Sequence, residues 1–152
     1  MWDDDDNDDE NYDPEEEQRK LEALPIYKKA LDILDLTEKL VDTFQDGEMG
    51  GRYRQLMLDD ALIIPAKIAG AEAVNHYVMK MENATVIKIH ARSLLTQTSS
   101  ANHLKLAEPS HLQLLRDEID AFRLLFRQWI TTFEKGTIKE GDGWGLFAAD
   151  EE

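Results

Sequence analysis

Cysteine is absent from the 152 residues of this chain, which excludes disulfide scaffolds, cysteine-ligated zinc sites and thiol catalysis. Long apolar runs are absent too, because no unbroken stretch approaches the roughly 20 residues that are needed to cross a bilayer. We therefore expect no membrane contact. The chain begins with a run of aspartates, whereas a secretory signal begins with basic residues. These features together predict a cytoplasmic protein.

The motifs of the common enzyme classes are missing as well. The sequence contains no Gly-x-Ser-x-Gly elbow and no phosphate-binding Walker loop. A di-metal helical bundle requires two inward-facing Glu-x-x-His pairs, and only Glu108 and His111 have this spacing. Pro109 and a predicted helix start lie between these two residues. We therefore expect a protein that is not an enzyme and has no cofactor, metal site or small-molecule substrate.

The acidic charge is concentrated at the two ends of the chain. The formal net charge is −15, from 17 basic and 32 acidic residues. Residues 1–17 contain eleven acids and no base, and residues 136–152 contain five acids and one base. The remaining 118 residues carry 16 charges of each sign. Dense acidic blocks repel themselves and bury little apolar surface, so we expect 1–20 to be a disordered acidic tail. The Gly-rich segment 136–152 is expected to be a flexible acidic tail.

Four apolar stripes with steps of three or four residues occupy the neutral middle of the chain. They run from Ile26 to Phe44, from Tyr53 to Ala71, from Ala84 to Ala101 and from Leu112 to Phe133. Helical periodicity without a strand pattern predicts an all-α fold, an antiparallel up-down four-helix bundle over residues 21–135. Two details follow. Pro65 should kink or divide the second helix, and the boundary between the second and third helices falls at Gly70, at Asn75 or at Glu82–Asn83.

Basic residues on this bundle are candidates for nucleic-acid binding. Three of them, Arg116, Arg123 and Arg127, have spacings of seven and four residues, so they share one side of the last helix. Together with Arg52 and Arg54 they could form a face that neutralises phosphates. A solvated helix surface has the same composition, and this alternative stays open.

The C-terminal segment contains a candidate docking motif. Trp144, Leu146 and Phe147 are large apolar residues within a stretch that is otherwise Gly-rich and acidic. Such a pattern is typical of a short linear motif that binds a partner protein. The alternative is that these side chains pack against the surface of the bundle itself.

Four short stretches, residues 24–31, 64–69, 91–94 and 127–130, together resemble the motifs of a bacterial family of four-helix bundles. The family includes proteins encoded in ribosomal-RNA intervening sequences and the accessory variability determinant of diversity-generating retroelements. Residues 24–31 (LPIYKKAL) resemble its hydrophobic-Tyr-x-Lys-Ala opening, and residues 64–69 (IPAKIA) resemble its mid-helix Ile-Pro-Ala-Asn-Ile-Ala. Residues 91–94 (ARSL) are similar to its Ala-x-Gly-Ser-Leu stretch, and residues 127–130 (RQWI) to the last helix of the accessory branch. Lys67 and Arg92 depart from the family pattern, which has Asn and Gly there.

This resemblance implies a non-catalytic bundle that assembles with itself, as a ring-like pentamer. In the accessory branch, it further implies that the protein partners a reverse transcriptase and its RNA or DNA. The first hypothesis is therefore an oligomeric accessory protein of this kind. The second is a protein-interaction adaptor without a nucleic-acid role, which docks through its acidic tails and the C-terminal aromatic motif.

Overall fold

A computed structural model of the protein describes residues 12–133 and 141–147. Over these residues the fold is all-helical, with five α-helices and no strand. The helices are α1 (Pro14–Ala23), α2 (Pro25–Asp42), α3 (Glu48–Ala73), α4 (Tyr77–His103) and α5 (Pro109–Ile130). Within the same part of the chain, no helix combines the length and the apolar character that a membrane span requires. The all-α prediction is confirmed.

Helix α1 changes the expected boundary of the N-terminal tail. The Asp13 carboxylate accepts a hydrogen bond of 3.0 Å from the Glu15 N–H, and Pro14 occupies the first helical position. Both features favour a helix start, as do the acidic residues of the first turn. Residues 14–20, which were expected to be disordered, are therefore helical. Residues 1–11 of the predicted N-terminal tail lie outside the described residues. So do 136–140 and 148–152 of the predicted C-terminal tail and the last two residues of the predicted bundle, 134–135.

The core is formed where α2, α3, α4 and α5 meet. Helix α2 packs against α3 and α5, and α4 packs against the same two helices. All four predicted stripes supply buried side chains to this core, and the largest of them that are fully buried are Ile33, Met57, Ile64, Ile68, Ile87, Leu94, Leu112, Leu115 and Phe122. Helix α1 packs against α2, and it contributes no buried residue to the core. Burial of the stripes is the main source of stability for such a fold.

Polar contacts tie neighbouring parts of the chain together at both ends of these helices. At one end, the Gln45 N–H donates to the Leu106 carbonyl at 3.2 Å, which links the α2–α3 connection to the α4–α5 connection. At the other end, the Lys80 ammonium group donates to the Ala71 carbonyl at 2.7 Å. The same ammonium group lies 5.6 Å from the centroid of the Phe133 ring. It thereby satisfies a carbonyl in the last turn of α3 and contacts an aromatic ring beyond α5.

Helix α3 begins earlier than expected and continues without a break through Pro65. Residues 48–52, which precede the apolar stripe of this helix, are already helical: Gly47 precedes the helix with a φ of 138°, and Gly50 is buried in its first turn. Residues 74–76 connect α3 to α4, so the boundary falls at Asn75 among the three candidates. Helix α4 therefore starts at Tyr77, seven residues before the apolar stripe that predicted it.

Candidate functional site

The five candidate arginines are divided by the structure into different environments. Arg54 on α3 is half-buried, and its Nε–H donates to the Val41 carbonyl at 3.2 Å. Val41 lies in the last turn of α2, and its carbonyl also accepts from the Phe44 N–H at 3.2 Å, so Arg54 is a second donor that ties α3 to the end of α2. Arg52 is exposed, in the first turns of α3. Arg54 thus has a role within the fold.

Arg116 joins α5 to α4. Its Nη1 lies 2.8 Å from Ser99 Oγ, 3.0 Å from Thr98 Oγ1 and 3.2 Å from the Leu95 carbonyl oxygen. The side chain is half-buried between the two helices. All three contacts are made by Nη1, which carries two of the five N–H groups of the guanidinium, so they hold this end of the side chain against α4. We therefore separate Arg116 from the other two arginines of its predicted stripe.

Arg123 and Arg127 lie at the rim of a groove between α4 and α5. Lys88 and Arg92 of α4 stand on the same groove, and the volume enclosed is about 330 Å³. The floor is apolar, and it is formed by Ala91, Leu95, Ile119, Phe122 and Phe126. We call this feature the α4/α5 groove.

Helical spacing explains how the rim and floor arise. On α4, Lys88 and Arg92 are four residues apart and flank Ala91, and on α5 Arg123 and Arg127 have the same separation. Residues at this spacing are neighbours on one side of a helix. Each helix therefore places two cations beside apolar residues that point towards the other helix.

The charged residues that line the groove are mostly positive. Four cations and one carboxylate, Asp120, line it, which gives a formal charge of 4 − 1 = +3. Lys88, Arg92, Arg123 and Arg127 are all exposed, and none of them pairs with a carboxylate within the described part of the chain. The groove can accordingly bind a ligand that combines apolar groups with negative charge.

Lys88 and Arg92 were not among the sequence-based candidates. Their i,i+4 spacing was visible, but the sequence did not show that this side of α4 would adjoin Arg123 and Arg127. That adjacency depends on which helices pack together and on how each helix is rotated about its own axis. The periodicity of a single helix encodes neither.

The predicted docking motif is exposed. Trp144 has 86% of its surface accessible, and Leu146 and Phe147 are exposed as well. The Asp142 carboxylate accepts a hydrogen bond of 3.1 Å from the Trp144 N–H, and Gly143 and Gly145 have positive φ angles of 87° and 73°. These features form a tight local turn of a kind that glycine favours. Residues 141–147 therefore present their apolar side chains to solvent.

A second polar feature, the Asp60–His90 pair, lies between α3 and α4. Asp60 is only 6% exposed, and its Oδ1 lies 2.7 Å from His90 Nδ1. Its Oδ2 is buried and has no hydrogen-bond partner among the described residues. No group of three or more His, Asp or Glu side chains that could hold a metal is found in residues 12–133 and 141–147. The pair is therefore a contact between two helices.

No protein-family model matches the sequence, and no curated protein matches it either. The family resemblance described above thus depends on the four short stretches that carry it.

Proposed function

We propose that this chain is a non-catalytic, self-associating adaptor that binds a protein partner in the α4/α5 groove. The observation that carries this proposal is the combination of an apolar floor with a rim of four exposed cations. A partner segment with apolar anchors and flanking carboxylates would satisfy both parts of such a surface. Its apolar side chains would move out of water and pack against the floor, and its carboxylates would pair with the cations of the rim.

The scaffold we propose is an antiparallel, up-down four-helix bundle formed by α2 to α5, with α1 as an addition. Two features support this arrangement. The connections between α2, α3, α4 and α5 are short, which favours antiparallel neighbours. The bond between Gln45 and Leu106 also brings the first and third of these connections together at one end.

Self-association is supported by apolar side chains on the outside of the same helices. Ile89, Leu114 and Leu124 are each more than half exposed. Exposed apolar surface of this kind is often covered by another subunit. The family resemblance suggests a pentamer, and the mass of the particle, measured by multi-angle light scattering, would test this number.

The partner that the family resemblance suggests is the reverse transcriptase of a diversity-generating retroelement. Its involvement can be tested by tagging the full-length chain in its native host and identifying the captured proteins. The groove variant is Arg123→Glu/Arg127→Glu, and the control is Arg52→Glu, a charge reversal at an exposed cation that does not line the groove.

We expect a reverse transcriptase to be captured by the wild-type chain and by the control, and to be lost with the groove variant. Equal capture by the groove variant would contradict the assignment of the groove. The absence of a reverse transcriptase from all captured samples would contradict the partner.

The second candidate function, nucleic-acid contact, is favoured by the exposed cations of the rim. Binding to phosphates weakens steeply as salt increases, because counterions are released on binding. Filter binding of RNA and DNA at two salt concentrations would measure this effect. Substantial affinity that falls with salt and is lost with Arg123→Glu/Arg127→Glu would favour this candidate over the protein partner.

A further inference from the structure

The chemistry that the α4/α5 groove requires is present elsewhere in the same chain. Residues 141–152 contain four acids, Asp142, Asp150, Glu151 and Glu152, and no base. They also contain three large apolar side chains, which are exposed in the structure and do not line the groove. The segment thus offers apolar anchors and negative charge to a surface with an apolar floor and a formal charge of +3.

The covalent distance to the groove is short enough for a contact within one copy. Along α5 the groove extends from Ile119 to Arg127. Arg123 lies ten residues before Phe133, a distance of about 15 Å at 1.5 Å per residue if the helical rise is applied throughout. Trp144 lies eleven residues after Phe133, and eleven residues span at most about 36–40 Å. The chain can therefore turn back and place Trp144 at the groove.

We infer that the C-terminal segment of this chain, residues 142–152, docks in the α4/α5 groove of its own copy. The three apolar side chains would occupy the floor, and the carboxylates would pair with Lys88, Arg92, Arg123 and Arg127. The single acid of the rim, Asp120, disfavours such a segment, but four cations outnumber it. This inference builds on the binding role proposed for the groove, and it makes the segment a tethered competitor of the partner.

The experiment uses a fluorescein-labelled peptide of residues 141–152 and full-length protein. Fluorescence anisotropy measures the affinity of the peptide for the wild type and for a tail variant, Trp144→Ser/Leu146→Ser/Phe147→Ser. A short tether gives an effective concentration in the millimolar range. We therefore expect the wild type to bind the peptide about tenfold or more weakly than the tail variant, since its own segment fills the groove.

The position of binding is tested in the background of the tail variant. Adding Arg123→Glu/Arg127→Glu should abolish peptide binding, whereas adding Arg52→Glu should leave it unchanged. If the charge reversals in the groove have no effect, the segment binds elsewhere and the inference is wrong. Equal peptide affinity of the wild type and the tail variant, or no binding to either, would also overturn it.

Docking within one copy is separated from docking between copies by a mixed assembly. Copies with the tail variant are assembled with copies that carry Arg123→Glu/Arg127→Glu, so that no single copy has both a segment and a groove. Docking within a copy predicts that the mixture binds the peptide as tightly as the tail variant. Weak binding, as in the wild type, would mean that segments reach neighbouring copies, which contradicts the inference.

Failure of the docked segment and failure of the proposed function would give different experimental results. Peptide binding without capture of any reverse transcriptase would support the docked segment and contradict the proposed partner. Capture that depends on the groove without any peptide binding would do the reverse. If both hold, the tail variant should capture more partner than the wild type.

Discussion

Replacing Arg116 by Met should destabilise the fold, although Arg123 on the same side of α5 should tolerate the same change. Nη1 of Arg116 carries two hydrogens and lies within 3.2 Å of three acceptors on α4. A hydrogen bond from a charged donor contributes about 1.5–3 kcal/mol. The sum for two such bonds is an upper limit on the loss of stability. The true loss is smaller, because water can hydrogen-bond to the acceptors of this half-buried site when the guanidinium is removed. We therefore expect a loss of about 1–2 kcal/mol.

The choice of Met retains the packing of the aliphatic stem, so that the measured loss reports the polar contacts. Urea unfolding followed by far-UV circular dichroism at fixed protein concentration gives the free energy of unfolding. For a chain of this size the expected loss corresponds to a fall in Tm of about 2–8 °C. Arg123→Met, whose side chain is exposed, should change stability by less than about 0.5 kcal/mol. A stable Arg116→Met variant, or equal destabilisation by both, would refute the division between a structural and a free arginine.

Two further pairs of variants test the packing. Gly50→Ala should cost about 1–3 kcal/mol, because its Cβ would overlap the backbone carbonyl of Gln45, whereas Gly51→Ala, with open space around it, should gain about 0.5–1 kcal/mol in urea unfolding. Equal effects of the two would contradict the close approach at Gly50. His90→Leu should cost about 1–3 kcal/mol, because it leaves the buried Asp60 Oδ1 without its hydrogen-bond partner. Adding Asp60→Leu should restore most of this stability, and a double variant less stable than His90→Leu would show that the pair is not the cause.

The core could be predicted from the sequence because helical periodicity directly reports which side of a helix is buried. The stripe on α5 shows this: Leu112, Leu115, Ile119 and Phe122 are all buried. Helix α1 was missed because it buries nothing, so it has no apolar stripe. Asp13 before Pro14 and the acids of the first turn are local signals of a helix start. The density of negative charge in the same segment instead led to the prediction of disorder.

The candidate site was only partly predictable, for a reason that lies in helix packing. Arg116, Arg123 and Arg127 have equivalent positions on α5, yet they meet different parts of α4. Arg116 faces hydroxyl and carbonyl acceptors, including Ser99, whereas Arg123 faces the part of α4 that carries Arg92. The fate of each arginine thus depends on the residue of the neighbouring helix opposite it, and a single sequence does not give this pairing.

In the proposed function, the apolar floor of the α4/α5 groove, and not its charge alone, binds the partner. Ala91→Trp tests it directly, because the indole ring would fill the floor while leaving all four cations of the rim in place. The measurement is the amount of the proposed partner, a reverse transcriptase, that this variant captures, with a melting curve to establish that the fold is intact. We predict that capture is lost, as with Arg123→Glu/Arg127→Glu. Wild-type capture by Ala91→Trp would contradict the claim, because the rim would then act by charge alone.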